Sequence, residues 1–246
     1  MEKIFEGSIS CKALLENQER ECIGLYINKK KKTKDFQYIR YLAHTRNIPI
    51  YEVERETIDS MSQGKTHGGI LLNAMVKEKH FLTTDTPLSG YCAYIDGLED
   101  PYNLGSVLRT LYASGCNTLL LPERDWSMSE QIILKASAGA YEKLPILWIQ
   151  DDDTLIESLQ AQNMPLILAN RKDSMPLDTY IFPKDFCIGI GGALRGIRAK
   201  IQNAASQNLH IQYGRDFKNA LDTASAVAVF AFTICAQQQR TGEELL

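Results

Sequence analysis

YCAYIDGLEDPYNLGSVLRT, residues 91–110, decides the fold. It opens on a continuous apolar run, YCAYID (91–96), breaks at a turn, and continues as a helix. A run that is apolar at successive positions suits a strand buried on both faces of a parallel sheet. Five more such runs follow: TLLLP (118–122), PILWIQ (145–150), PLILAN (165–170), FCIGIG (186–191) and HIQYG (210–214). Helical patterns at 103–115, 129–143, 153–162 and 219–238 separate most of them. Strands alternating with helices predict an α/β domain with a mostly parallel six-stranded sheet. In such sheets ligands sit beyond the carboxyl ends of the strands, so the loops after strands are where chemistry belongs.

Three of those loops stand out. In DPYNLGSVLRT (100–110), Asp100-Pro101 favours a turn, because the residue before proline is pushed out of the α region. Asn103 is placed to cap the following helix, and Gly105 permits close approach to its first turn. Arg109 lies six residues on, about 120° around an ideal helix. It reads either as a surface charge or as a catalytic group over a site. The second loop, IGIGGALRGIR (188–198), frees the backbone at four glycines. It is neither a dinucleotide fingerprint nor a P-loop, since Leu194 holds the last glycine place and no Gly-Lys-Ser/Thr follows. The third, HIQYGRDFKNALDTASA (210–226), runs from a strand into a helix of small residues. The helix macrodipole by itself accounts for Asp222 at that helix start.

Residues 1–82 read as a smaller α/β unit. Helices are expected at 11–18, 35–47 and 56–63, and strands at 22–28 and 48–53. GKTHGGILLNAMV (64–76) reads as a turn entering a strand. TTDTPLSG (83–90) reads as a linker, and 91–246 as the larger domain. Residues 1–80 carry 14 Lys and Arg against 11 Asp and Glu, although the whole chain has a net charge of −3. Lys29, Lys30, Lys31, Lys32 and Lys34 make the basic end, which suits either phosphates or a solvated loop.

Other chemistries find little support. The six cysteines form no Cys-x-x-Cys pair and the four histidines have no metal-like spacing, so no metal site is expected. No nucleophile–His–acid set is evident. The start of the chain has no signal-peptide pattern, and ASAVAVFAFTICA (224–236) is too short for a membrane span. A cytoplasmic protein is the resulting expectation.

Taken together, the three loops resemble, in order and spacing, the motifs of the SpoU/TrmH-type RNA ribose 2′-O-methyltransferases of the SPOUT class. DPYNLGSVLRT matches their first motif, Asp-Pro-x-Asn-x-Gly followed by an apolar pair and Arg. IGIGGALRGI looks like the second and IQYGRDFKNALDTASA like the third. The N-terminal unit, ending in THGGIL, looks like the family's ribosomal-protein-like substrate-binding domain. Four positions depart from the pattern: Ala193 replaces a Glu, Leu194 a Gly, Ala220 a Ser and Asp222 an Asn.

The resemblance implies a deep trefoil knot in the C-terminal domain and a site completed across a homodimer. It implies S-adenosylmethionine as methyl donor, held at Ala169, Gly191, Gly192, Ile211 and Leu221, and no metal. It implies rRNA or tRNA as substrate, with Arg109 and Asn103 at the reaction. RNA contacts are expected from Lys29, Lys30, Lys31, Lys32, Lys65 and His67. The alternative is a catalytically impaired RNA-binding homologue that keeps the fold.

Overall fold

The structure is a computed structural model. It describes residues 1–243 apart from Gln63, Lys65, Ala193 and Leu194, with side chains to Arg240. The chain divides into two compact units. One comprises Met1–Glu78 and Asp125–Lys143, the other Lys79–Arg124 and Leu144–Leu246.

The first unit holds a mixed four-stranded sheet in the order β1-β4-β2-β3. Its strands are β1 (Glu2–Glu6), β2 (Cys22–Asn28), β3 (Ile50–Val53) and β4 (Ile70–Met75). Helices α1 (Ser8–Glu16), α2 (Lys34–Thr45) and α3 (Arg55–Met61) connect them. Sequence patterning anticipates all of these except β1, an edge strand pairing antiparallel with β4. Phe5, Leu14, Leu25, Ile39, Ile58 and Ile70 are fully buried and form the core. Asn47, the last residue of the helix expected at 35–47, has φ 53, the left-handed conformation in which a helix commonly ends. α5 (Glu130–Ala136) belongs to this unit as well. The expected helix over 129–143 is a single helix only to Ala136. Ala138 (φ 51) and Gly139 (φ 87) then turn left-handed, and a short 3-10 turn at Ala140–Glu142 follows.

The second unit carries a sheet in the order β10-β12-β9-β11-β6-β7-β8-β5, in which every pairing is parallel. Its strands are β5 (His80–Phe81), β6 (Tyr91–Ile95), β7 (Thr118–Pro122), β8 (Ile146–Ile149), β9 (Leu166–Ala169), β10 (Met175–Pro176), β11 (Phe186–Ile190) and β12 (Gln207–His210). Among the described residues the count is eight, not the expected six. The two additions are two-residue edges, too short to leave a hydrophobic period. The last expected strand, 210–214, lies instead at 207–210. Its pairing with Ile167–Ala169 sets that register, and its polar Gln207 and Asn208 hide it from a search for apolar runs.

The helices of this unit are α4 (Pro101–Ala113), α6 (Asp152–Ala161), α7 (Ala199–Asn203) and α8 (Thr223–Glu243). Cys92 and Tyr94 of β6 join Leu155 and Leu159 of α6 and Ile201 of α7 in one core cluster. Alternate residues point to the opposite face, where Tyr91 stacks on Phe186 at 5.4 Å. α4 and α8 pack on each other. The stretch 83–90 is fastened to α6: the Leu88 N–H donates to Gln162 Oε1 at 2.7 Å, and Ser158 Oγ donates to the Thr83 carbonyl at 3.0 Å.

The chain lays down β6, β7 and β8 in one direction, then returns to build β11, β9 and β12 on the other side of β6. The boundary between β6 and β11 is therefore the point where strand order reverses, and the crevice for a ligand opens at its carboxyl end. DPYNLGSVLRT follows β6 directly. IGIGGALRGIR begins in β11.

Candidate functional site

At the end of β6 the Asp96 N–H donates to the Ile190 carbonyl of β11 at 3.0 Å. The loops beyond then meet backbone to backbone. A Cβ at Gly192 would stand 2.8 Å from the Gly97 carbonyl oxygen, so this place admits only glycine without a shift. A Cβ at Gly191 would stand 2.7 Å from the Ile197 nitrogen, where the loop folds back on itself. The glycines of the second loop thus serve close approach. Ala193 and Leu194, two of the departures from the family pattern, lie outside the described residues.

One charged cluster holds this loop in place. The Arg198 backbone N–H and Nε both donate to Asp96 Oδ2 at 3.1 Å. Its Nη2 donates to the Tyr94 hydroxyl at 2.7 Å, and its Nη1 lies 2.5 Å from Asp152 Oδ1 at the start of α6. Hydrogen bonding to Tyr94 and the nearby carboxylates outweigh desolvation and raise the guanidinium above its ordinary pKa. Sequence reading passed over Arg198. The available signal was an arginine just past a glycine-rich loop and an aspartate at the end of the first strand.

Beside this loop lies a cavity of about 380 Å³, bordered by the carboxyl ends of β9, β11 and β12. Ala169, Gly191, Gly192, Ile211 and Leu221, all expected from sequence to hold a donor, line it together. Ile190, Ile197, Leu209 and Phe230 give it apolar walls, and no Asp or Glu is among its lining residues. Arg171 shapes the far wall. It donates to the Lys218 carbonyl at 3.0 Å and the Asn219 carbonyl at 2.9 Å, and lies 4.6 Å over the Tyr213 ring. The Leu221 N–H donates to the Tyr213 hydroxyl at 3.2 Å and is thereby engaged within the protein. The volume falls in the range of small-molecule pockets, roughly 300–1,000 Å³. Apolar walls suit a purine, and the Lys218 ammonium, which has no ion-pair partner among the described residues, suits a carboxylate. The residues present therefore fit S-adenosylmethionine.

Arg109 and Asn103 do not line this cavity. Both are exposed on α4. The helix is capped by Asp100, not Asn103. Asp100 is extended (φ −101°, ψ 129°) because Pro101 follows at the first helical position, and its carboxylate accepts the Asn103 N–H at 2.8 Å. That frees the Asn103 side chain. Arg109 has no ion-pair or hydrogen-bond partner among the described residues. Asp222 caps α8 in the same way, accepting from the Ser225 N–H at 3.0 Å and the Ser225 hydroxyl at 2.5 Å.

In the first unit Lys29 pairs with Glu54, while Lys30, Lys31 and Lys32 have no ion-pair partner among the described residues. His67 is 1% exposed, so its ring is not presented to a ligand. It holds the turn instead: Nδ1 accepts the Gly69 N–H at 3.1 Å and Nε2 lies 2.8 Å from Asp59 Oδ1. Lys65 lies outside the described residues.

Among the described residues no group of three His, Cys, Asp or Glu could hold a metal ion, and no helix is long and apolar enough to cross a membrane. Burial pushes the Cys92 thiol up to about 11 and raises those of Cys116 and Cys187 as well.

Comparison with known proteins agrees with this geometry. Residues 4–79 match the family model for RNA 2′-O ribose methyltransferase substrate binding. A 23S rRNA (guanosine-2′-O-)-methyltransferase, RlmB, of Pasteurella multocida is 28% identical over 168 residues, covering 66% of this chain and 69% of that protein. Among solved structures, an RNA 2′-O ribose methyltransferase superposes with a TM-score of 0.78 at 18% identity, over 97% of this chain and 89% of that one. The SpoU methyltransferase AviRb from Streptomyces viridochromogenes, solved with AdoMet, also reaches 0.78, at 13% identity over 97% and 91%. Residues 91–232, more than half of the sequence, match the SpoU rRNA methylase model, and the chain belongs to that family.

Proposed function

We propose that this protein transfers a methyl group from S-adenosylmethionine to a ribose 2′-hydroxyl of RNA, with rRNA as the substrate class. The observation that carries the reading is the cavity at the carboxyl ends of β9, β11 and β12, where Ala169, Gly191, Gly192, Ile211 and Leu221 converge in a chain of this family. Those five positions are the proposed donor site, with Lys218 opposite the donor carboxylate. Bound there, the donor supplies an electrophilic methyl on a sulfonium leaving group, so the protein's task is alignment and help with one proton.

Arg109 is the proposed catalytic residue. It is a guanidinium without a partner among the described residues, on the helix that starts at the crevice, suited to gripping a phosphate bidentately and stabilising the developing alkoxide. The proton leaves to that phosphate or to water. Asn103, released from capping, contacts the RNA. The finer family features belong to the same proposal. The contact of Gly191 with residues 196–197 and the Thr223 hydroxyl on the Gly191 carbonyl support a knotted C-terminus. Exposed Val229 and Phe232 on α8 and Tyr102 and Tyr112 on α4 support a homodimer. A cytoplasmic location completes the reading. The family match and the assembled cavity favour turnover over the impaired-homologue alternative, and Asp222 is accounted for as a cap.

Arg109→Ala tests the assignment. Methyl transfer to rRNA lacking the modification should fall about 100- to 1,000-fold, while calorimetry still detects donor binding. Full activity in that variant removes Arg109 from the mechanism.

A further inference from the structure

Tyr26 of β2 and Tyr51 of β3 are aligned in a parallel pair, and their rings stack at 4.9 Å with 21° between planes. β3 is the edge of its sheet, and Tyr51 is 46% exposed. The glycine at position 24 makes room for the ring, since a Cβ there would stand 3.1 Å from Tyr51 Cε2.

β2 runs directly into the lysine turn, and the end of β3 is bonded to its first residue. The Asn28 side chain accepts the Lys30 N–H at 2.9 Å, and the Lys29 N–H donates to the Val53 carbonyl at 3.0 Å. These bonds fix the turn to the end of the strand pair, a few residues beyond the stacked rings. Lys31 also lies against the THGG turn, with its Cγ 3.5 Å from where a Gly69 Cβ would be.

A simpler account treats the stack as a cross-strand pair that steadies an edge strand. It explains the contact between the rings. It does not explain why a large ring stays half in water, with ammonium groups on the adjoining turn that have no ion-pair partner among the described residues. An open aromatic face next to cations is the combination that binds single-stranded nucleic acid: the ring takes a base and the cations take phosphates. In an RNA duplex the bases are already stacked on each other, so they cannot use such a face.

We infer that Tyr51, backed by Tyr26, is a stacking platform for one unpaired RNA base, with Lys30, Lys31 and Lys32 holding the flanking phosphates. This rests on the RNA-methyltransferase reading and narrows its substrate to RNA that presents an unpaired nucleotide to the first unit.

The two halves of the site obey different physics, which makes them separable. Stacking releases no counterions, whereas phosphate contacts do. Binding of the full-length protein to oligouridine of about 12 nucleotides and to an RNA duplex of equal length should be measured by anisotropy across a salt series. Tyr51→Ala should weaken oligouridine binding about tenfold, leave duplex binding unchanged and keep the salt slope. Tyr51→Leu, which retains apolar bulk on the edge strand, should behave like Tyr51→Ala, and Tyr51→Phe like the wild type. Replacing Lys30, Lys31 and Lys32 with Ala should flatten the slope for both RNAs. Unchanged oligouridine binding by Tyr51→Ala, or an equal loss for the duplex, overturns the platform while leaving the RNA reading standing. A wild-type protein that binds neither RNA overturns both.

Discussion

At the scale of single residues, the cavity proposed as the donor site depends on one arginine that does not line it. Arg198 joins the end of β6 (Tyr94, Asp96), the start of α6 (Asp152) and the chain immediately beyond the glycine-rich loop. Gly196 and Ile197, its two predecessors, do line the cavity. Arg198 is therefore proposed as a positioning residue: its bonds hold the loop against β6 while Gly196 and Ile197 face the cavity. Arg198→Ala should weaken donor binding about tenfold, a change of about 1.4 kcal/mol, and raise the KM for the donor more than it lowers kcat. Asp96→Asn should reproduce the effect in weaker form, because the amide keeps an acceptor oxygen but loses the charge. Calorimetry with S-adenosylmethionine and steady-state kinetics read both. A fall in kcat at unchanged donor KM would place Arg198 in the chemical step instead. The contrast with Arg109 is instructive. Arg109 could be picked out from sequence because it ends a compact local motif. Arg198 bonds to Tyr94 and Asp96, about a hundred positions away, and its one local mark is its place just past a glycine-rich loop.

At the scale of elements, three helices begin with the same device. Asp100, Asp151 and Asp222 each accept the N–H of the residue three positions on, at 2.8, 2.8 and 3.0 Å. Those bonds hold the Asp222 carboxyl below its usual range, Ser225 being the largest cause, and do the same to Asp151 through Thr154. A carboxyl depressed in the folded state stabilises above its unfolded pKa, near 4, and that contribution is lost as pH falls through the folded value. Asp222→Ala should therefore cost about 1 kcal/mol at neutral pH. The gap in thermal midpoint between it and wild type should shrink toward zero below about pH 4. A gap that persists undiminished in acid would mean the aspartate acts through something other than its charge. Capping also shows how far patterns reach. The continuous strands were legible because burial on both faces demands apolar residues throughout, and TLLLP and FCIGIG match their strands to within a residue. Edge elements escape that demand: β1 is half-exposed, β5 and β10 have two residues each, and β12 opens on Gln207 and Asn208. Asn103 was misread as a cap because Asn and Asp are equally good caps, and only the proline between them fixes which one is extended.

At the scale of the whole molecule, sequence order and compact units do not coincide. Residues 125–143 fall within the span of the methylase model, yet fold with residues 1–78. The join is ionic and buried. The Arg20 guanidinium contacts Glu130 and lies 3.6 Å from Glu142, and all three side chains are at most 2% exposed. Glu130 also accepts the Lys77 N–H at 2.9 Å, and Asn17 donates to Glu142 at 2.8 Å. No periodicity could announce this, because Arg20 and Glu130 are 110 residues apart. A buried charge that loses its partner keeps its desolvation cost without the compensating attraction. Glu130→Ala should thus destabilise the protein by about 3–5 kcal/mol, measured by urea unfolding with a probe in the first unit. The triple replacement Arg20→Met, Glu130→Leu, Glu142→Gln should recover most of that loss, since all three members of the cluster are then neutral and the amide at position 142 keeps an acceptor for Asn17. A fragment of residues 1–78 should fold only when 125–143 is supplied with it. If Glu130→Ala unfolds within 1 kcal/mol of the wild type, the pair behaves like a surface bridge and residues 125–143 are held by packing alone.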